Sequence, residues 1–146
     1  MQPMTYAMQF RGSGTPDESG AINAKSVASS GRLVTTVGPD GVSFALEPAG
    51  EGEALFESEV RMGEGTSFDE DGTITFGSGN RLHFRTIGEG YLAPSAAPGV
   101  SHGTVMWEIT GGEGQFAGAT GLITSNFFLN EALEVTDNQF GVIWLS

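Results

Sequence analysis

The sequence predicts an all-β chain folded as a single antiparallel barrel of eight to nine strands, with a β-sandwich as the alternative. Three observations carry this. Apolar residues recur with period two, and no stretch keeps the period of a helix. Gly, Pro, Asp and Asn interrupt that alternation every ten residues or so, and Gly alone accounts for 23 of 146 positions, with no collagen-like repeat. The length suits one domain, residues 1–146. The turns are mostly short and meander-like, which favours closure into a barrel and removes exposed sheet edges. A sandwich needs longer crossovers, for which only 11–31 and 88–103 are long enough.

The first strand is expected from Met4 to Phe10, with Met4, Tyr6, Met8 and Phe10 on one face. Arg11 to Gly31 is polar and rich in Gly and Ser, and reads as a partly mobile segment. Leu33–Val37 and Val42–Leu46 flank Gly38-Pro39-Asp40-Gly41, whose residue types preset a tight reversal and mark the clearest hairpin. Ala54–Met62 alternates cleanly. Asp71-Gly72 reads as a turn into Thr73–Phe76, and Gly77-Ser78-Gly79-Asn80 as a turn into Arg81–Ile87. After a long loop, Gly88 to Gly103, come Thr104–Thr110, Gly121–Leu129 and Glu134–Leu145, making about nine strands.

Six basic residues against eighteen acidic ones give a net charge of −12, and none of the basic residues falls after Arg85. Such a chain is repelled by phosphate, so neither nucleic acid nor an anionic membrane surface is an expected partner. The absence of cysteine excludes disulfides, thiolate nucleophiles and Cys-ligated metals. The N-terminal Met-Gln-Pro-Met-Thr-Tyr lacks the basic-then-apolar pattern of a secretory signal, and no apolar run approaches the ~20 residues of a membrane span. The expected location is cytoplasmic.

Pointing the more apolar face of each strand inward gathers Met4, Tyr6, Met8, Phe44, Leu46, Phe56, Val60, Leu82, Phe84, Val105, Trp107, Ile109 and Phe127 in the interior. An eight-stranded barrel is either filled by such side chains or just wide enough for one small ligand, and both outcomes stay open. Two strands carry charge on the other face: Glu57, Glu59 and Arg61, and Arg81, His83 and Arg85. Their simplest role is cross-strand pairing on a solvated surface. Their sharper role is a polar pocket, with Glu57 or Glu59 as general base and His83 or Arg85 as acid or oxyanion partner. That role requires the face to point inward. The long loop, with Tyr91, Leu92, Val100 and His102 among small residues and two prolines, is a lid or binding loop on one reading and an ordered surface crossover on the other.

Other motifs are mostly negative. With two histidines and no cysteine, a zinc site would need His83, His102 and a carboxylate brought together by folding alone, so no metal or cofactor is expected. Asp69-Glu70-Asp71-Gly72 resembles the start of a calcium loop but lacks the closing acid and reads as a plain turn. The run from Gly111 to Gly121, with glycine at 111, 112, 114, 118 and 121 around Phe116, fails the dinucleotide spacing. It reads instead as an ordered, tightly turned connection whose aromatic plugs the base of the sheet.

That run, GGEGQFAGATGLITSNFFL following the strand GTVMWEI, resembles the Gly-Gly-x-Gly-x-Phe-x-Gly-x-x-Gly segment of the allene oxide cyclase and dirigent β-barrel superfamily, uncharacterised bacterial members included. The resemblance covers the last third of the chain and is architectural before that. It implies an eight-stranded barrel with a hydrophobic cavity, assembled as a homotrimer or another small oligomer such as a dimer. It also implies an apolar substrate steered mainly by shape. The matching motif is a structural turn, the cyclases' polar residues have no alignable counterpart here, and GEGYLAPSAAPGVSHG departs from the cyclase pattern.

The expected function is therefore binding of an apolar or amphiphilic small molecule, with cyclase or isomerase activity through shape and exclusion of water. The cavity residues would be Tyr6, Phe44, Phe56, Phe84, Trp107 and Phe127, with Tyr91 and His102 at the mouth, and Glu57, Glu59 or His83 would supply acid or base. The alternatives are a non-catalytic ligand carrier or a solid barrel used for assembly, and, more remotely, a glycan or polyketide enzyme using the polar face.

Overall fold

A computed structural model describes residues 2–146. Nine strands follow one another in the order β1 (Gln2–Pro16), β2 (Ile22–Gly38), β3 (Gly41–Met62), β4 (Ser67–Phe76), β5 (Arg81–Thr86), β6 (Gly90–Pro94), β7 (Val100–Glu113), β8 (Thr120–Asn130) and β9 (Glu134–Leu145). The only helical piece among the described residues is a single 3-10 turn, Gly114–Phe116, so no helix is long and apolar enough to cross a membrane. All pairings are antiparallel, and they run from β3 through β2, β1, β9, β8, β7, β5 and β4 back to β3. The sheet therefore closes on itself as a barrel. β5 and the short β6 both bridge β4 and β7, so together they make one broken stave of an eight-stave ring.

The count of nine strands agrees with expectation, but the partition differs. Arg11–Gly31 is mostly strand: β1 runs on to Pro16, and Arg11–Pro16 pairs with Ile22–Val27. Between them Asp17 Oδ1 accepts the backbone N–H groups of Ser19 and Ala21 and the Ser19 hydroxyl, closing a compact turn. The small residues that suggested a linker serve close packing instead, since a Cβ on Gly12 would run into the Lys25 carbonyl oxygen and Ser26 Cα. Val42–Leu46 and Ala54–Met62 are parts of one long strand, β3. Asp71-Gly72 lies mid-strand in β4, opposite Glu59 and Ser58. The long loop contains β6, whose Tyr91 and Phe68-facing Gly90 pair with β4. The hairpin at Gly38–Gly41, the turn at 77–80 and the last strand fall where the sequence places them.

Inside, Phe56, Phe84 and Trp107 form an aromatic layer, with centroids 4.4 Å apart for Phe84 and Trp107 and 5.4 Å for the stacked Phe56 and Phe84. Phe10 joins it from β1 at 6.0 Å. Each such pair adds about 0.5–1.5 kcal/mol beyond the burial of its area. One end of the barrel is closed by the glycine-rich run. Gly114 at φ 66° and Gly118 at φ 74° bracket the 3-10 turn and aim Phe116 inward, where it is buried against Phe76. This is the plug that the run was expected to form.

Beyond this closed end β2 and β3 continue as a free hairpin arm, after a bulge between Ser29 and Gly31. The expectation that Phe44 and Leu46 are interior is overturned: Phe44 is 71% and Leu46 49% exposed. Their strand alternates as an inward-facing strand does, but this stretch of it lies outside the ring.

Candidate functional site

At the opposite end the barrel stays open. Its inner wall there is built from small residues on β1 and β2, Gly14, Ala24 and Ser26, facing large apolar ones on the other staves. That asymmetry leaves a cavity of about 280 Å³, near the lower end of ligand pockets. Ile22, Met62, Leu92, Leu129 and Leu133 rim it, and Phe56, Phe68, Trp107 and Phe127 form its walls. Phe68 and Phe127 meet edge to face at 5.9 Å. Glycines make room for both rings, because a Cβ on Gly90 would meet Phe68 and one on Gly103 would meet Phe127.

Two carboxyls interrupt this apolar wall, Glu70 of β4 and Asp137 of β9, each 6% exposed. Three hydrogen bonds from two residues hold Glu70. Its Oε2 accepts the Ser58 hydroxyl at 2.6 Å, and the Thr86 side chain accepts the Glu70 backbone N–H and donates to its carbonyl oxygen, each at 2.8 Å. Burial pushes the Glu70 carboxyl up to about 8, against the pull of the Ser58 hydrogen bond; the charge of Asp137 adds to the rise. The Trp107 N–H dipole also favours the carboxylate, although Nε1 is buried and completes no hydrogen bond among the described residues.

Asp137 accepts the Ser125 hydroxyl at 2.5 Å on Oδ1 and the Gln139 amide at 2.8 Å on Oδ2. Gln139 in turn accepts the Tyr6 hydroxyl at 2.8 Å, so a chain of hydrogen bonds leads from Asp137 toward the closed end. Burial raises the Asp137 carboxyl to about 6, against the pull of the hydrogen bonds from Ser125 and Gln139. Burial and the nearby Asp137 charge also push the Tyr6 hydroxyl well up, so it stays a donor. Near neutral pH the pair thus holds one proton donor, Glu70, and one acceptor, Asp137.

Of the residues singled out from sequence, Phe56, Trp107 and Phe127 line the cavity and Phe84 backs them from the core. Tyr6 is interior but enters through Gln139, packing on Phe76 at 5.3 Å. Phe44 is out on the arm. Tyr91 and His102 do not rim the mouth; with Asn126 and Asn138 they line a separate shallow groove outside the wall that Phe127 completes. Glu57, Glu59 and His83 lie on the outer face, where their strands direct the residues between Phe56, Ser58 and Val60 and between Leu82 and Phe84. There His83 Nε2 stands 3.4 Å from Glu113, and Glu59 3.2 Å from Arg61. The structure does not bring these three to the cavity. Glu70 and Asp137 were missed. Glu70 shares the inward parity of Phe68 and Ile74, a signal available once 69–72 is taken as strand rather than turn.

No protein family model and no curated protein sequence matches the chain. Among solved structures it is similar to a pterocarpan synthase dirigent protein, at 13% identity over 99% of this chain and 87% of that one, with a TM-score of 0.49. No cluster of three potential metal ligands occurs among the described residues.

Proposed function

We propose that the open barrel binds an apolar or amphiphilic small molecule and converts it by proton transfer, as a cyclase or isomerase. The observation that carries this reading is a pair of buried carboxyls of opposite protonation preference in an otherwise apolar cavity. Asp137 takes a proton from the substrate through a carboxylate oxygen, and Glu70 delivers one to another substrate atom. The substrate's composition is unchanged, and the two carboxyls return to their starting states by exchange with solvent at the open end. The hydrocarbon wall excludes water from a reactive intermediate and fixes the shape in which it closes. One resident negative charge in so apolar a site disfavours an anionic ligand, so a neutral substrate carrying a hydroxyl or carbonyl fits best.

The test begins with native mass spectrometry of the purified chain and identification of any bound molecule, with the neutral probe N-phenyl-1-naphthylamine as a displaceable reporter. With the substrate class in hand, Glu70→Gln and Asp137→Asn should each lower turnover by ~10²–10⁴ while probe affinity changes little. The wild-type rate should rise as Asp137 ionises near pH 6 and fall as Glu70 ionises near pH 8. Bound ligand with no turnover makes the barrel a carrier, and failure of any apolar molecule to bind overturns the reading.

A further inference from the structure

We infer that the hairpin arm is an assembly device, docking its apolar face on the outer wall of β9, β8 and β7 in a second copy of this chain. This is independent of what the cavity holds. The arm, Gly31–Gly38 against Gly41–Pro48, extends about 25 Å as two strands. One of its faces presents the pairs Leu33 and Leu46, Thr35 and Phe44, and Val37 and Val42, without a charge. Val37 is 80% and Val42 72% exposed. With Phe44 at 71% and Leu46 at 49%, they make an uncharged apolar patch that the barrel does not cover. A two-stranded ribbon is marginal in water on its own, and this one spends its best β-formers on a face left largely to solvent.

Charge selects the occupant. Across the outer wall the strand register stacks three rows: Ala7, Phe140, Thr124 and Met106; Thr5, Val142, Leu122 and Glu108; and Gln9, Asn138, Asn126 and Thr104. The single charge in these rows, Glu108, is paired with Arg85. The opposite wall, on β3, β4 and β5, carries Glu57, Glu59, Arg61, Asp69, Asp71, Arg81 and His83. In a chain of net charge −12, copies can approach one another closely at this neutral wall. Strand β9 bears the same mark: Phe140 and Trp144 point out, 51% and 41% exposed, while Asp137 and Gln139 point in. An arm on one copy meeting a wall on the next is a heterologous contact, which makes a ring where the rotation closes and an open chain where it does not.

Light scattering after gel filtration should show the wild type as an oligomer at micromolar concentration. Phe44→Asp, in the arm, and Phe140→Asp, in the wall, should each give a monomer with unchanged circular dichroism; Met106→Asp serves as a second wall variant should Phe140→Asp not fold. Mixing the arm variant with a wall variant should restore a one-to-one dimer, because one intact arm then meets one intact wall. A monomeric wild type, arm or wall variants that assemble as the wild type does, or a mixture that stays monomeric would each overturn the proposal. A monomeric wild type that captures another protein through the arm would reassign the arm to that partner and overturn self-assembly.

Discussion

Ser58 on β3 gives its hydroxyl proton to Glu70 on β4 at 2.6 Å, a bond between two buried side chains one diagonal step apart on neighbouring strands. It is the contact that keeps an ionisable group in the apolar wall, since a carboxyl there with no partner would cost several kcal/mol. Ser125 serves Asp137 in the same way from β8.

The first prediction concerns pH. In the folded chain Glu70 keeps its proton to about 8, whereas in the unfolded chain it releases it near 4.5. Between those values the folded state binds more protons, so stability falls as pH rises and levels off beyond about 8. Asp137, raised from 3.8 to about 6, adds a similar fall over a lower window. Urea midpoints should therefore decline from pH 5 to 8.5 in the wild type, while Glu70→Gln should lose most of the decline above pH 6. Equal slopes above pH 6 in the two proteins would refute the assignment.

A second prediction separates core from cavity. Phe84 is buried between Phe56 and Trp107, and Phe84→Ala should cost ~3–5 kcal/mol in denaturant unfolding. Phe127 is only half-buried and lines the cavity, so Phe127→Ala should cost less and change the affinity for N-phenyl-1-naphthylamine. Equal costs and unchanged probe binding would mean that the cavity is closed in solution.

These two classes of residue were unequally legible in sequence. The barrel, its plug and the aromatic layer follow from period-two alternation and glycine spacing, which report local geometry directly. Glu70 and Asp137 do not, because a buried carboxyl looks like any surface acid until its strand's inward parity is known. On β9 the parity cue points the wrong way, since Phe140, Val142 and Trp144 make the outer face the more apolar one. The arm misleads for the related reason that alternation tells which residues share a face, but not whether a barrel stands behind it. The polar stretch 11–31 hid a wall whose small residues create the cavity.

The plug yields a third prediction. Phe116→Ala should destabilise by ~3–5 kcal/mol. Gly114→Ala should cost more than ~1 kcal/mol, because its φ of 66° is unfavourable for alanine and the new Cβ would strike the Gly79 carbonyl oxygen and Asn80 Oδ1. Asn80 Oδ1 accepts the Gln115 N–H at 2.9 Å, so the strain would spread into the 77–80 turn. Both variants that remain folded should bind the apolar probe as the wild type does, since the cavity opens at the other end.

The charged outer wall gives the last prediction and separates the two places where acid–base chemistry was sought. Arg61 reaches Glu59 at 3.2 Å, Asp69 at 3.1 Å and Asp71 at 2.7 Å, three carboxylates that would repel one another without it. All four side chains are substantially exposed, so Arg61→Ala should cost only about 1 kcal/mol at low ionic strength. The loss should shrink in 1 M salt, where screening acts over ~3 Å. Replacing both Glu57 and Glu59 by Gln should leave probe binding and turnover at the wild-type level, because neither side chain enters the cavity. Loss of turnover in that double variant, with Glu70→Gln unimpaired, would move the chemistry to the outer wall and remove the buried pair from the mechanism.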